Sequence, residues 1–279
     1  MRKRLQTRLT SHDAIKIYNS YDVVGNIAII KVPNDNVENA KKAAEAVMAV
    51  YKNLKAVFVQ VNAIQGEFRV RQLVHVGGEN KTGTLHRESG CIFKVDVEKC
   101  YFSPRLSLER RRISELVKGK ETVVNMFAGV GCFSIIIAKK ASAAKVYSID
   151  INPNAVECML ENVRINRVYN RVFPLLGDSK EIVNSKLQRK ADRVLMPLPE
   201  KALQYLPTAL GALKPSGGWI HYYDFEHAAR NEDPIEKTRQ KVSAKLDALG
   251  ITYDVSFSRI IRSTGPNWYQ TVLDLKIKA

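Results

Sequence analysis

At 279 residues the chain is long enough for one large domain or for a domain with a smaller companion, and a hydrophobic share of 45% supports a packed core. No run approaches the roughly 18 to 20 apolar residues that a membrane crossing needs, and the N-terminus lacks the apolar stretch of a secretory signal, so a cytoplasmic protein is expected. The formal charge of +16 favours a polyanionic partner, because each neutralised phosphate releases counterions, while the four scattered cysteines and five scattered histidines form no metal-binding pattern.

Residues 1–20 are a basic segment. From 21 to 114 the chain reads as short strand-like runs at 27–32, 56–61 and 91–97, joined by Gly- and Asn-containing turns, with one helical pattern at 36–51 among them. That combination predicts a small α+β domain. From 115 to 279 the rhythm changes. Strand-like segments at 122–127, 145–150, 172–176, 193–196 and 219–223 alternate with helical ones, which predicts βαβ units and a parallel sheet. Runs at 251–261 and 268–277, separated by a Gly-Pro turn and no helix, predict a closing antiparallel hairpin. A mostly parallel seven-stranded α/β sheet closed in this way is the class I (Rossmann-like) methyltransferase arrangement. Asn152 before Pro153 and Asp233 before Pro234 each place a capping side chain ahead of a proline that opens a helix.

The sharpest local motif runs from Val123 to Ser134. An apolar strand enters a turn holding Gly129 and Gly131 and then a helix, so the backbone can approach a ligand closely and the helix offers free amides. The next strand ends in Asp150, at the carboxyl edge of the sheet, where an acid can accept from both ribose hydroxyls of a nucleoside cofactor. Gly177 and Asp178 end the strand after that; Asp178 either meets an adenine edge or caps a helix. A dinucleotide turn needs a third glycine where this chain has Ser134. S-adenosyl-L-methionine therefore fits better than NAD, and the expected cofactor set is Phe127, Gly129, Gly131, Asp150, Ile151, Asp178 and Pro197.

Longer phrases carry a resemblance. The ten residues from Tyr101 to Arg110 (Tyr-Phe-Ser-Pro-Arg-Leu-Ser-Leu-Glu-Arg), the nine from Asn125 to Phe133, and the six from Ser148 to Pro153 resemble the archaeal and eukaryotic tRNA (guanine-N1)-methyltransferases acting at position 37. The phrases from Tyr21 to Ala28 and from Gly66 to Arg71 resemble the same family's middle domain, so the likeness covers nearly the whole chain from about residue 20. It implies a class I fold, S-adenosyl-L-methionine as donor and the anticodon arm of tRNA as partner, with the chain acting as a monomer. By position it implies Glu109 as base, Arg69 as its cationic companion, Tyr101 against the target base, and Arg71, Arg105, Arg110 and Pro197 near the RNA.

Chemistry gives these residue types a purpose. Guanine N1 is a poor nucleophile until its proton is lost, and a carboxylate can take that proton. The charge that then builds on O6 suits a fixed guanidinium, and a base drawn from its stack suits an aromatic neighbour. Competing readings are a salt-bridged surface acid for Glu109 and a phosphate contact for Arg69, with Arg71 as rival. The basic N-terminus and Arg105, Arg110, Arg111 and Arg112 are expected on or near one face.

Two departures stand out. Where single-function relatives carry Asn-Leu-Pro, this chain has Pro197-Leu198-Pro199, as in relatives that also methylate C7 of a wyosine precursor; a bifunctional enzyme is therefore an alternative. The stretch before residue 20 is too short for the N-terminal tRNA-corner domain of many relatives. A sister family transferring the aminocarboxypropyl group of the same cofactor is a further alternative. A non-catalytic RNA-binding relic is disfavoured by intact Gly129, Gly131 and Asp150.

Overall fold

A computed structural model describes residues 21–31, 37–62, 66–142 and 144–279. The basic segment 1–20, and Val32 and Asn36 at the ends of two expected runs, lie outside the described residues.

The chain opens with Asp22–Val24 (β1), Ile27–Ile30 (β2), Val37–Val50 (α1), Ala56–Gln60 (β3) and Leu73–Gly78 (β4). These strands form a four-stranded sheet in chain order, with β2 and β3 parallel and the outer pairs antiparallel. Gly83–Glu88 (β5) and Cys91–Asp96 (β6) then pair as a separate hairpin, and Ser107–Leu116 (α2) follows. Strands β1, β4 and β5 are additions to the sequence reading.

The second half alternates as expected: Thr122–Asn125 (β7), Cys132–Lys140 (α3), Lys145–Asp150 (β8), Pro153–Ile165 (α4), Val172–Leu176 (β9), Ser179–Ile182 (α5), Arg193–Met196 (β10), Pro199–Ala212 (α6), Gly218–His227 (β11), Pro234–Asp247 (α7), Tyr253–Gly265 (β12) and Trp268–Ile277 (β13). One seven-stranded sheet has the order β12-β13-β11-β10-β7-β8-β9. Its five strands from β11 to β9 are parallel, and β13 runs antiparallel to both β11 and β12. The order reverses between β7 and β10, and ligands of such sheets bind at the carboxyl ends beside that reversal. Both expected caps form: the Asn152 side chain accepts from the Asn154 amide at 3.0 Å, and Asp233 accepts from the Ile235 amide at 2.8 Å.

Residue 115 falls inside α2, and the hydrophobic core is continuous across it, from Ile27 and Phe58 through Phe93 and Ile113 to Phe133 and Ile136. The β5–β6 hairpin joins the sheet layer through α4. Asn162 accepts from the Lys94 amide at 2.6 Å and donates to its carbonyl at 3.0 Å; Asn166 does the same to Ile92 at 3.0 and 2.6 Å. Two side-chain amides one helical turn apart thus stand in for a neighbouring strand. The four cysteines are buried free thiols. Among the described residues no helix is long and apolar enough to cross a membrane, and no acid, histidine or cysteine group is arranged to hold a metal.

Candidate active site

The carboxyl ends of β7, β8, β9 and β10 open on one cavity, roofed from the small-sheet side by residues 67–69 and by the segment after β6. Its lining includes Phe127, Gly129, Asp150, Ile151, Asp178 and Pro197, six of the seven residues expected to hold a cofactor. The seventh, Gly131, stands just behind the lining with φ +90°, and a Cβ there would approach the Met159 side chain to 2.8 Å. Gly129 has φ +55°. Both therefore occupy left-handed backbone that favours glycine.

Asp150 is held by backbone donors: Oδ2 accepts from the Gly129 amide at 2.6 Å and Oδ1 from the Asn152 amide at 2.9 Å. Burial pushes its carboxyl above the usual carboxylate range, against the opposing pull of those amides. Asp178 combines both of its expected roles, since it lines the cavity and also caps α5 through the Lys180 amide at 2.7 Å. Its other oxygen accepts from the Tyr205 hydroxyl, and the Tyr205 ring packs edge-on against Phe127 at 5.3 Å.

Arg69, Tyr101, Ser103, Arg110, Phe225 and Gln270 line the same cavity, and the Tyr101 carbonyl lies 3.7 Å from where a Cβ on Gly129 would stand. Arg69 has φ +52°, uncommon for a residue with a side chain. Its guanidinium ion-pairs with Glu200 and sits 5.4 Å from the centre of the Tyr101 ring. Asn152 fastens the segment that leads to Tyr101: its side-chain amide donates to the Lys99 carbonyl at 2.8 Å, two residues before Tyr101.

Glu109 is not part of the cavity lining. It is buried beneath it, with Oε2 accepting from Arg259 Nη2 at 2.6 Å and Oε1 from Arg112 Nη2 at 2.7 Å and the Tyr223 hydroxyl at 2.9 Å. No ion pair joins it to Arg69. The reading of Glu109 as a surface acid thus gives way to a buried ion cluster. The cluster extends inward: Arg112 also binds Asp274, Asp274 binds His221 Nδ1 at 2.6 Å, and Arg193 Nη1 lies 2.6 Å from His221 Nε2. Arginine can only donate, so Nε2 accepts and Nδ1 carries the proton, the neutral ring. Burial lowers the pKa of His221 below the ordinary histidine value, although Asp274 pulls the other way.

The expected basic face does not form as a unit. Arg110, Arg111 and Arg112 are consecutive on α2 and so point about 100° apart. Arg110 is buried and forks onto Glu88 at 2.7 and 2.6 Å; Arg111 faces solvent and pairs with Glu115; Arg112 joins the Glu109 cluster. Arg71 is likewise internal, donating to Asp22 at 2.8 Å and to the Phe102 carbonyl at 3.1 Å. Arg105 shares Asp22 from the exposed side, at 2.8 Å. Burial raises the carboxyl of Asp22, but these two guanidinium groups outweigh it and hold the pKa below the usual range. Asp224 on β11, one residue before Phe225, faces a separate groove with Lys241 and Trp268. Sequence reasoning also missed Phe225 and Gln270, whose only signal was their place on the two strands beyond the reversal.

A family model described as the TRM5/TYW2 methyltransferase domain matches residues 84–249, and one described as the TYW2 N-terminal domain matches residues 1–82. The chain is 42% identical to tRNA (guanine(37)-N(1))-methyltransferase Trm5b of Pyrococcus abyssi, over 92% of this chain and 74% of that protein. It is 35% identical to tRNA 4-demethylwyosine(37)-methyltransferase Taw21 of Saccharolobus solfataricus, over 98% of this chain and 97% of that one. Among solved structures, a complex of aTrm5 and tRNALeu matches with a TM-score of 0.84 at 35% identity, over 99% of this chain and 78% of that one.

Proposed function

The chain belongs to the TRM5/TYW2 methyltransferase family, and from that premise we propose that it transfers a methyl group from S-adenosyl-L-methionine to N1 of the guanine at position 37 of tRNA. The observation that carries this reading is the single cavity that joins the glycine turn and Asp150 to Arg69 and Tyr101. The donor end fits a nucleoside: each Asp150 oxygen accepts one backbone amide and keeps a lone pair for a ribose hydroxyl. Phe127 and Asp178 would flank the adenine. When bound, the donor supplies an electrophilic methyl group on a sulfonium.

The chain's own residues act on the RNA. Tyr101 packs against the extruded guanine, and Arg69 leaves Glu200 to neutralise the charge that grows on O6. Glu109 takes the N1 proton after its contact with Arg259 opens, since a base must come within about 2.6 to 3.2 Å of the proton it removes. The protein reads the anticodon arm and acts as a monomer.

A second reading is favoured by Pro197. The strand end that would carry an asparagine amide offers only the Pro-Leu-Pro phrase to the cavity, and Taw21 matches over nearly its full length. The same site then also methylates C7 of a wyosine precursor. Mass spectrometry of nucleosides from tRNA bearing either guanosine or 4-demethylwyosine, incubated with protein and labelled donor, tests both. Absence of label from both nucleosides would refute the assignment.

A further inference from the structure

Phe225, Gln270 and Arg262 lie side by side on β11, β13 and β12, in direct cross-strand register. Residues so paired project from the same face of a sheet. Phe225 and Gln270 line the cavity, and Gln270 is only 2% exposed. Arg262 stands behind them: Nε donates to the Gln270 side-chain carbonyl at 2.8 Å, and Nη1 to Ser103 Oγ, also in the cavity wall, at 3.3 Å.

That contact fixes which way the amide faces. A guanidinium has no acceptor, so the atom it meets is the oxygen, and the NH2 group is the one left over. Among the described residues nothing accepts from that NH2 group. A buried amide with its oxygen clamped and its donors free is a recognition group for an acceptor that arrives with a ligand.

The position along the sheet identifies the ligand. Gln270 stands four strand spacings from Asp150, in the order β13, β11, β10, β7, β8. At about 4.8 Å per spacing this is roughly 19 Å, beyond the reach of the ribose and on the far side of Pro197. The acceptor therefore belongs to the base that receives the methyl group. Resting on the proposed guanine substrate, we infer that the Gln270 amide, oriented by Arg262, donates to the O6/N7 edge of the target purine and selects for it. Gln270 is the specificity-determining residue and Arg262 its positioning residue.

The test compares tRNA binding for three transcripts: guanosine, 2-aminopurine (no O6) or 7-deazaguanosine (no N7) at position 37. The parent should bind one analogue roughly 3- to 10-fold more weakly than guanosine, the usual worth of one neutral hydrogen bond. Gln270→Met, close to the parent in volume, should lose that discrimination while its donor affinity by calorimetry stays unchanged. Gln270→Glu should be worse than Gln270→Met on guanosine and on the analogue that keeps the acceptor the amide meets, because it points an acceptor at an acceptor. Arg262→Met should lose discrimination in part. Equal losses on all three transcripts, or a fall in donor affinity, overturn the assignment. Nucleoside analysis of the parent's product separates the two levels. Methyl on guanine with unchanged discrimination in Gln270→Met sinks the amide assignment alone; methyl on no base at position 37 sinks the substrate reading and the amide assignment with it.

Discussion

Arg259 Nη2 lies 2.6 Å from Glu109 Oε2, in a cluster where every short contact of that carboxylate is already taken by a cation or a hydroxyl. A general base in such a setting must first be released. Glu109→Gln should cut single-turnover methylation by about 10² to 10⁴, leave donor affinity nearly unchanged, and recover in part at high pH, where guanine N1 loses its proton unaided. Arg259→Met removes a competitor for the carboxylate and should not slow the step at saturating tRNA. If the Arg259 variant is as slow as the Glu109 variant, the ion pair itself is required and Glu109 is not the base.

The donor end makes a simpler prediction. Asp150→Ala should weaken donor binding by roughly 1.5 to 3 kcal/mol, the range for a charged hydrogen bond. Asp150→Asn keeps an oxygen for the Gly129 amide and should lose less. Calorimetric affinities equal to the parent's in both variants would remove Asp150 from the site.

Burial separates Arg110 on α2 from Arg105, just ahead of that helix, into two experimental classes. Arg110→Gln breaks a buried fork to Glu88, so it should lower the melting temperature markedly. It should leave the salt dependence of tRNA binding unaltered. Arg105→Gln, on the exposed side of Asp22, should reduce the slope of log affinity against log salt by about one and barely alter melting. The reverse pattern would mean that the basic residues near the cavity reach RNA in a way this fold does not present.

His221 predicts how stability depends on pH. Its ring is neutral in the fold and its pKa is lowered by burial. As pH falls through the ordinary histidine value of about 6.5, the unfolded chain binds a proton that the folded ring resists, so stability decreases. Above that value both states are neutral and the effect vanishes. Urea unfolding at pH 7.5, 6.5 and 5.5 should show the decline, and His221→Asn should flatten it. A parent stability that rises on acidification over this interval would mean a charged ring.

The sheet was legible because its signals are local. Alternating runs, a strand-end acid at Asp150 and prolines after Asn152 and Asp233 each act within a few residues. The ion cluster was not legible, because Glu109, Arg110, Arg111 and Arg112 read as a solvated run until the helix distributes them among Arg259, Glu88, solvent and Asp274. Strand β5 was missed for a related reason. Leu85 is exposed and the hairpin is fastened by Asn162 and Asn166, whose backbone mimicry has no sequence period. Arg71 reads as a residue near the RNA because its partner Asp22 lies 49 positions away.

One helix carries three asparagine contacts in a row. Asn152 at its start holds Lys99, Asn162 holds Lys94, and Asn166 holds Ile92, while Asn152 itself donates its main-chain amide to Asp150. The donor-side acid and the segment that presents Tyr101 are thus tied to the same rigid rod, and displacing one displaces the other's anchor. Two ligands held through the one residue, Asn152, at the start of that rod share a coupling free energy, and that energy is the same whichever of them arrives first.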